Sequence, residues 1–85
     1  MQIILNQTER DILFRQDPTT RHDGGYQSFL IHLQKNTNRA TGDLTLTMQD
    51  LEKIPRYAFD YGNGGWEGRL KNIFQRHLGL RLGRE

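Results

Sequence analysis

Apolar residues recur along this chain at helical spacing more often than at strand spacing. Tyr26, Phe29, Leu30 and Leu33 stand at i, i+3, i+4 and i+7, one stripe of a helix. The same stretch offers a competing period-2 reading through Phe29, Ile31 and Leu33, that of a strand. The length of the stripe, and the polar Gln34-Lys35-Asn36 that closes it, favour a helix over 26–36. Trp66, Leu70, Ile73, Phe74, His77 and Leu78 form a longer stripe, with Gly79 placed to cap its C-terminus. Leu51, Ile54, Ala58 and Tyr61 mark a third.

Start and stop signals frame these stripes. Thr8-Glu9-Arg10-Asp11 has the form of a capping box and predicts a helix over 8–16, ended by Asp17-Pro18. Thr47 and Asp50 repeat the pattern ahead of the Leu51 stripe. Pro55 sits inside that stripe, removes a backbone donor, and is expected to kink the helix or begin another. Gly62 or Asn63 can close the helix in the left-handed conformation. Leu44-Thr45-Leu46-Thr47 alternates and reads as a short extended piece able to pair with Ile3-Ile4-Leu5. The chain has no valine, which argues against a sheet-rich domain. The expected class is mostly α: a small single-domain helical bundle of four to five short helices, with room for one short strand pair. Residues 1–79 are expected to form the compact domain and 80–85 a frayed basic tail.

Size and composition narrow the functions. With 85 residues there is room for one small domain of marginal stability. Cysteine is absent, which excludes disulfides, thiol catalysis and cysteine-based zinc sites. The start, Met1-Gln2-Ile3-Ile4-Leu5-Asn6, does not read as a signal peptide, and no apolar run exceeds three residues. A cytoplasmic protein without a membrane span is the expectation. The net charge of +2 is unevenly spread. Arg69, Lys71, Arg76, Arg81 and Arg84 face only Glu67 and Glu85 beyond residue 65, so basicity belongs to the C-terminal fifth.

That fifth follows a glycine cluster, Tyr61-Gly62-Asn63-Gly64-Gly65-Trp66-Glu67-Gly68-Arg69. A phosphate-binding loop needs lysine followed by Ser or Thr, and here Arg69-Leu70 follows. The dinucleotide fingerprint needs Gly-x-Gly-x-x-Gly after a strand, and this cluster misses the spacing by one after a helical stripe. The amides of Gly64, Gly65 and Trp66 at a helix start favour an anion, with Arg69 in support and Glu67 opposed. The simpler reading is a tight connection between two antiparallel helices, with Trp66 anchoring the second.

On the last helix Arg69, Asn72 and Arg76 make a polar stripe, with Lys71 and Gln75 further round and Arg81 in the tail. Asn, Gln and Arg read base edges, and Arg and Lys hold phosphates. Helix, short glycine turn and polar-basic second helix follow the order of a helix-turn-helix module. DNA or RNA is therefore the favoured partner, against the plainer reading of a solvated charged face. Arg56, Tyr57 and Asn63 carry the alternative, a protein-binding inhibitor or adaptor acting on a host protein, since aromatics beside arginine suit binding hot spots.

Catalytic signals are weak. Arg21-His22-Asp23 invites a general-base reading but has no nucleophile beside it, and His22, His32 and His77 match no metal spacing. Asp17, Asp23 and Asp43 imply no carboxylate pair. A non-catalytic protein without cofactor or metal is expected. The blocks Thr41-Gly42-Asp43-Leu44-Thr45-Leu46-Thr47, Asp50 to Tyr61 and Gly64-Gly65-Trp66 resemble short bacterial proteins of unassigned function, often carried on prophages and integrative elements. The resemblance covers about the C-terminal half and brings no site residues with it. It implies an accessory protein that binds nucleic acid or a host protein.

Overall fold

The computed structural model describes residues 1–17, 25–62 and 64–84. Along the chain run β1 (Gln2–Ile4), α1 (Gln7–Phe14), α2 (Gly25–Lys35), β2 (Asp43–Thr45), α3 (Met48–Phe59) and α4 (Gly64–Leu78). The class is mostly α, four helices among the described residues with one short strand pair. The chain divides into two compact units, Gln2–Thr45 and Leu46–Glu85 with Met1.

In the Gln2–Thr45 unit the two strands pair antiparallel, with Gln2 opposite Thr45, Ile3 opposite Leu44 and Ile4 opposite Asp43. Alternation along β1 buries Ile3 and exposes Ile4. The helical reading of 26–36 wins over the strand: α2 buries Tyr26, Phe29, Leu30, Ile31 and Leu33, more than one face, as suits a short core helix. A turn over 38–42 returns the chain to β2, with the Gly42 amide donating to the Asn38 carbonyl at 2.6 Å. The Ala40 and Thr41 amides both donate to Asn38 Oδ1. Gly42 is at φ +84°, and a Cβ there would stand 2.1 Å from the Leu5 carbonyl oxygen. No other residue fits.

The first helix starts elsewhere than Thr8 suggests. Its N-cap is Asn6: the Glu9 amide donates to Asn6 Oδ1 at 2.8 Å, and the Asn6 amide donates to Glu9 Oε1 at 2.8 Å. Asparagine accepts as well as threonine in this role, and burying Glu9 fixed the choice between the overlapping boxes. At the far end Gln34 Nε2 donates to the carbonyls of Leu13 and Gln16 at 3.0 and 2.8 Å, which meets acceptors the helix end leaves over.

In the second unit Thr47 caps α3 as its sequence indicates. The Asp50 amide donates to Thr47 Oγ1 at 3.1 Å, and the Thr47 amide donates to Asp50 Oδ2 at 3.0 Å. Pro55 neither ends nor restarts the helix; α3 runs through it to Phe59, with Ile54, Pro55 and Ala58 buried. Tyr61, placed on the same stripe, is past the helix end and exposed. Gly62, at φ +66°, follows the end of α3, and α4 buries Leu70, Ile73 and Phe74.

Residues 80–84, expected to fray, are folded. Leu82 is fully buried at φ +54°, between Gly79 and Gly83, which are also left-handed. The Gly83 amide donates to the Leu78 carbonyl at 3.0 Å, and the Leu82 amide to the Gly79 carbonyl at 2.9 Å. The glycines permit the turn, and burying leucine offsets its own unfavourable backbone conformation.

Candidate nucleic-acid interface

Burial on α4 decides which side chains point away from the helix pair. Leu70, Ile73 and Phe74 occupy the buried side. Helical periodicity sends Gly68, Asn72 and Gln75, at i, i+4 and i+7, along the opposite line. Arg69 and Arg76 run beside that line, two turns apart. Asn72, Gln75 and Arg76 are exposed and Arg69 is half-buried. The outward strip of α4 thus gathers two guanidinium groups, two carboxamides and a glycine, and none of its residues is acidic.

Lys71 departs from the group in which the sequence sets it. It lies on the flank, its Nζ 3.1 Å from Glu67 Oε1 and 5.5 Å from the centre of the Phe59 ring. Its charge is largely answered by Glu67, a half-exposed pair of the modest kind found on helix surfaces. Helical periodicity sets Glu67, the sole carboxylate of α4, on the same flank, away from the outward strip.

Arg81 belongs to a different place again. With Phe59 and Arg84 it lines a hollow of about 190 Å³. Arg84 is tied down: its Nη1 donates to Asp60 Oδ1 at 2.6 Å, its Nη2 to Asp60 Oδ2 at 3.0 Å, and its Cζ is 5.8 Å from the Phe59 ring centre. The forked hydrogen bond from Arg84 holds the Asp60 carboxyl below the usual carboxylate range, with the charges of Arg84 and Arg56 adding to it and desolvation opposing. The Arg81 guanidinium has no hydrogen-bonding or ionic partner among the described residues.

The residues of the protein-binding alternative are only partly gathered. Tyr57 and Tyr61 stack, ring centres 5.4 Å apart, and Tyr61 is 58% exposed. Arg56 pairs with Glu52 on the preceding turn. Asn63 lies outside the described residues, as does the Arg21-His22-Asp23 triplet. Asp43 is engaged in the turn before β2, accepting from Thr41 Oγ1 at 2.8 Å, and His32 stacks on Phe29. Among the described residues no group of three or more His, Cys, Asp or Glu is placed to hold a metal ion. Nor is any helix among them long and apolar enough to cross a membrane.

Spacing along the chain does not reveal the pairing of Arg84 with Asp60 beside the Phe59 ring. The signal of a folded tail was present in Gly79-Leu80-Arg81-Leu82-Gly83, where leucine between glycines marks a turn with a buried anchor rather than a loose end. Comparison of the chain with family models, curated proteins and solved structures finds no match.

Proposed function

We propose that this protein is a small non-catalytic accessory protein that binds nucleic acid through α4, with Arg81 as an additional phosphate contact. One observation carries the reading: the outward strip of α4 holds Arg69, Asn72, Gln75 and Arg76 with no acidic residue among them, because Glu67 lies on the flank with Lys71. Guanidinium groups suit phosphates and guanine edges, and carboxamides suit adenine edges. The connection of residues 60–63 between α3 and α4 has the length of a helix-turn-helix turn. The resemblance to short proteins of prophages and integrative elements agrees with such work, carried out in the cytoplasm.

The test is binding of labelled DNA and RNA as a function of salt. Each phosphate contact contributes about 0.9 to the slope of log affinity against log salt on duplex DNA, so Arg69→Ala with Arg76→Ala should flatten it by about 1.8. No affinity for either nucleic acid at low salt in the folded protein would remove the proposal. A host-protein contact is the second reading, favoured by the exposed stack of Tyr61 on Tyr57. Capture of a host protein that survives nuclease treatment and is lost in Tyr61→Ala would support it.

A further inference from the structure

Gly68 is a glycine that the chain itself does not require. It lies within α4, where glycine is less favourable than alanine by about 1 kcal/mol. It is not among the glycines with positive φ, and a Cβ built on it meets no described atom within 4 Å beyond its chain neighbours and the helix's own backbone. Among the described residues, neither backbone conformation nor packing explains it. Its position does offer an explanation. Helical periodicity sets the half-buried Gly68 on the outward line of α4 with the exposed Asn72 and Gln75, and Arg69 and Arg76 run along one side of that line.

We infer that Gly68 is the point where α4 comes closest to double-stranded DNA, with the helix lying in the major groove. This rests on the nucleic-acid reading above and narrows it to a partner and a docking geometry. A helix in the major groove faces base edges along its outermost line and phosphates along its sides. On α4 the outermost line carries the bare backbone of Gly68 and two short carboxamides, and a side carries the arginines. Removing the Cβ at one end of the line lets the backbone sink toward the bases and brings Asn72 within reach of an adenine edge. Charge complementarity with the phosphates comes from Arg69 and Arg76. Single strands are the poorer fit, because they are held by stacking on aromatic rings. The outward strip has none, since Phe74 is buried and Trp66 lies toward the buried side.

The inference is tested with Gly68→Ala and Gly68→Leu, read by thermal unfolding and by binding to a mixed-sequence DNA duplex of about 20 base pairs, two helical turns, and to one of its strands alone. Gly68→Ala should raise the melting temperature by about 4–8 °C, because a helix interior prefers alanine. Duplex affinity should fall in both variants, by about tenfold in Gly68→Leu, equivalent to one lost base-edge contact. The salt slope should stay unchanged, since no phosphate contact is removed. Stability and affinity moving in opposite directions cannot come from misfolding. A lower melting temperature in Gly68→Ala would overturn the inference by showing that the fold needs the glycine. Unchanged duplex affinity in both variants would overturn it while leaving the nucleic-acid reading in place. An equal loss for the single strand would overturn the groove assignment. Absence of binding by the unaltered protein would remove the reading beneath it.

Discussion

At Gly42, in the unit Gln2–Thr45, a Cβ would strike the Leu5 carbonyl; at Gly68, in the unit that begins at Leu46, it would meet open space. The polar side chains of the two units differ in the same sense. In the first, Asn6, Glu9, Arg10, Gln34, Thr37 and Asn38 all bond to the chain's own backbone. In the second, Asn72, Gln75 and Arg81 are exposed, and the ion pairs of Glu52, Glu67 and Asp60 hold other cations in place around them. Polar chemistry in the first unit completes helix ends and turns. In the second, beyond the Thr47–Asp50 cap of α3, Asn72, Gln75 and Arg81 are presented outward. The contrast is why the proposed nucleic-acid contact is sought in the second unit.

Five substitutions sharpen that contrast, beginning with those that cost most. Phe74→Ala removes a fully buried ring of α4 and should cost about 3–5 kcal/mol in urea unfolding. Trp66→Ala should cost less, because Trp66 is only half-buried; an equal loss would mean its ring anchors the helix as firmly as Phe74. Gly42→Ala combines a left-handed backbone with a clash against a carbonyl oxygen, and should cost more than about 3 kcal/mol. Near-normal stability of that variant would show that the first unit is less tightly specified than the second.

Acid is the next probe. Asp60 has its carboxyl pKa lowered by Arg84, so its stabilising contribution is fully present above the ordinary carboxylate range and is lost as pH falls through the lowered value. Unfolding midpoints should therefore drop with acid more steeply for the unaltered protein than for Asp60→Asn. Parallel curves would mean that the Asp60–Arg84 pair contributes nothing in solution. Smallest of all is Arg81→Ala, an exposed change expected to alter stability by under about 0.5 kcal/mol. It should nevertheless reduce the salt slope of nucleic-acid binding by about 0.9, and an unchanged slope would separate Arg81 from the interface.

Much of the fold was legible because its signals are local. The α2 and α4 stripes, the Thr47–Asp50 cap and the pairing of Ile3 with Leu44 all follow from residue types at fixed spacing. The start of α1 was misplaced because Asn6–Glu9 and Thr8–Asp11 are two boxes in one stretch, and only burial of Glu9 chooses between them. Of the two expectations at Pro55, a kink or a new helix start, the second fails because burial of Ile54, Pro55 and Ala58, a tertiary effect, carries α3 past the missing donor. On the site, the outward strip of Arg69, Asn72, Gln75 and Arg76 could be drawn from periodicity. The i,i+4 pairing of Lys71 with Glu67 could be drawn the same way, but the approach of Lys71 to the Phe59 ring could not, because it depends on where α3 ends.

The buried Leu82 has a consequence for how this chain meets proteases. Trypsin cuts after arginine, and the Arg81–Leu82 bond joins an exposed cleavage residue to a neighbour whose side chain is sealed inside. Cleavage there must wait until the turn between Gly79 and Gly83 lets go. Where opening and closing outpace cutting, the digestion rate at that one bond reports the free energy of that opening. A nucleic acid that clamps Arg81 should slow it, which turns the tail into a built-in gauge of occupancy that needs no label.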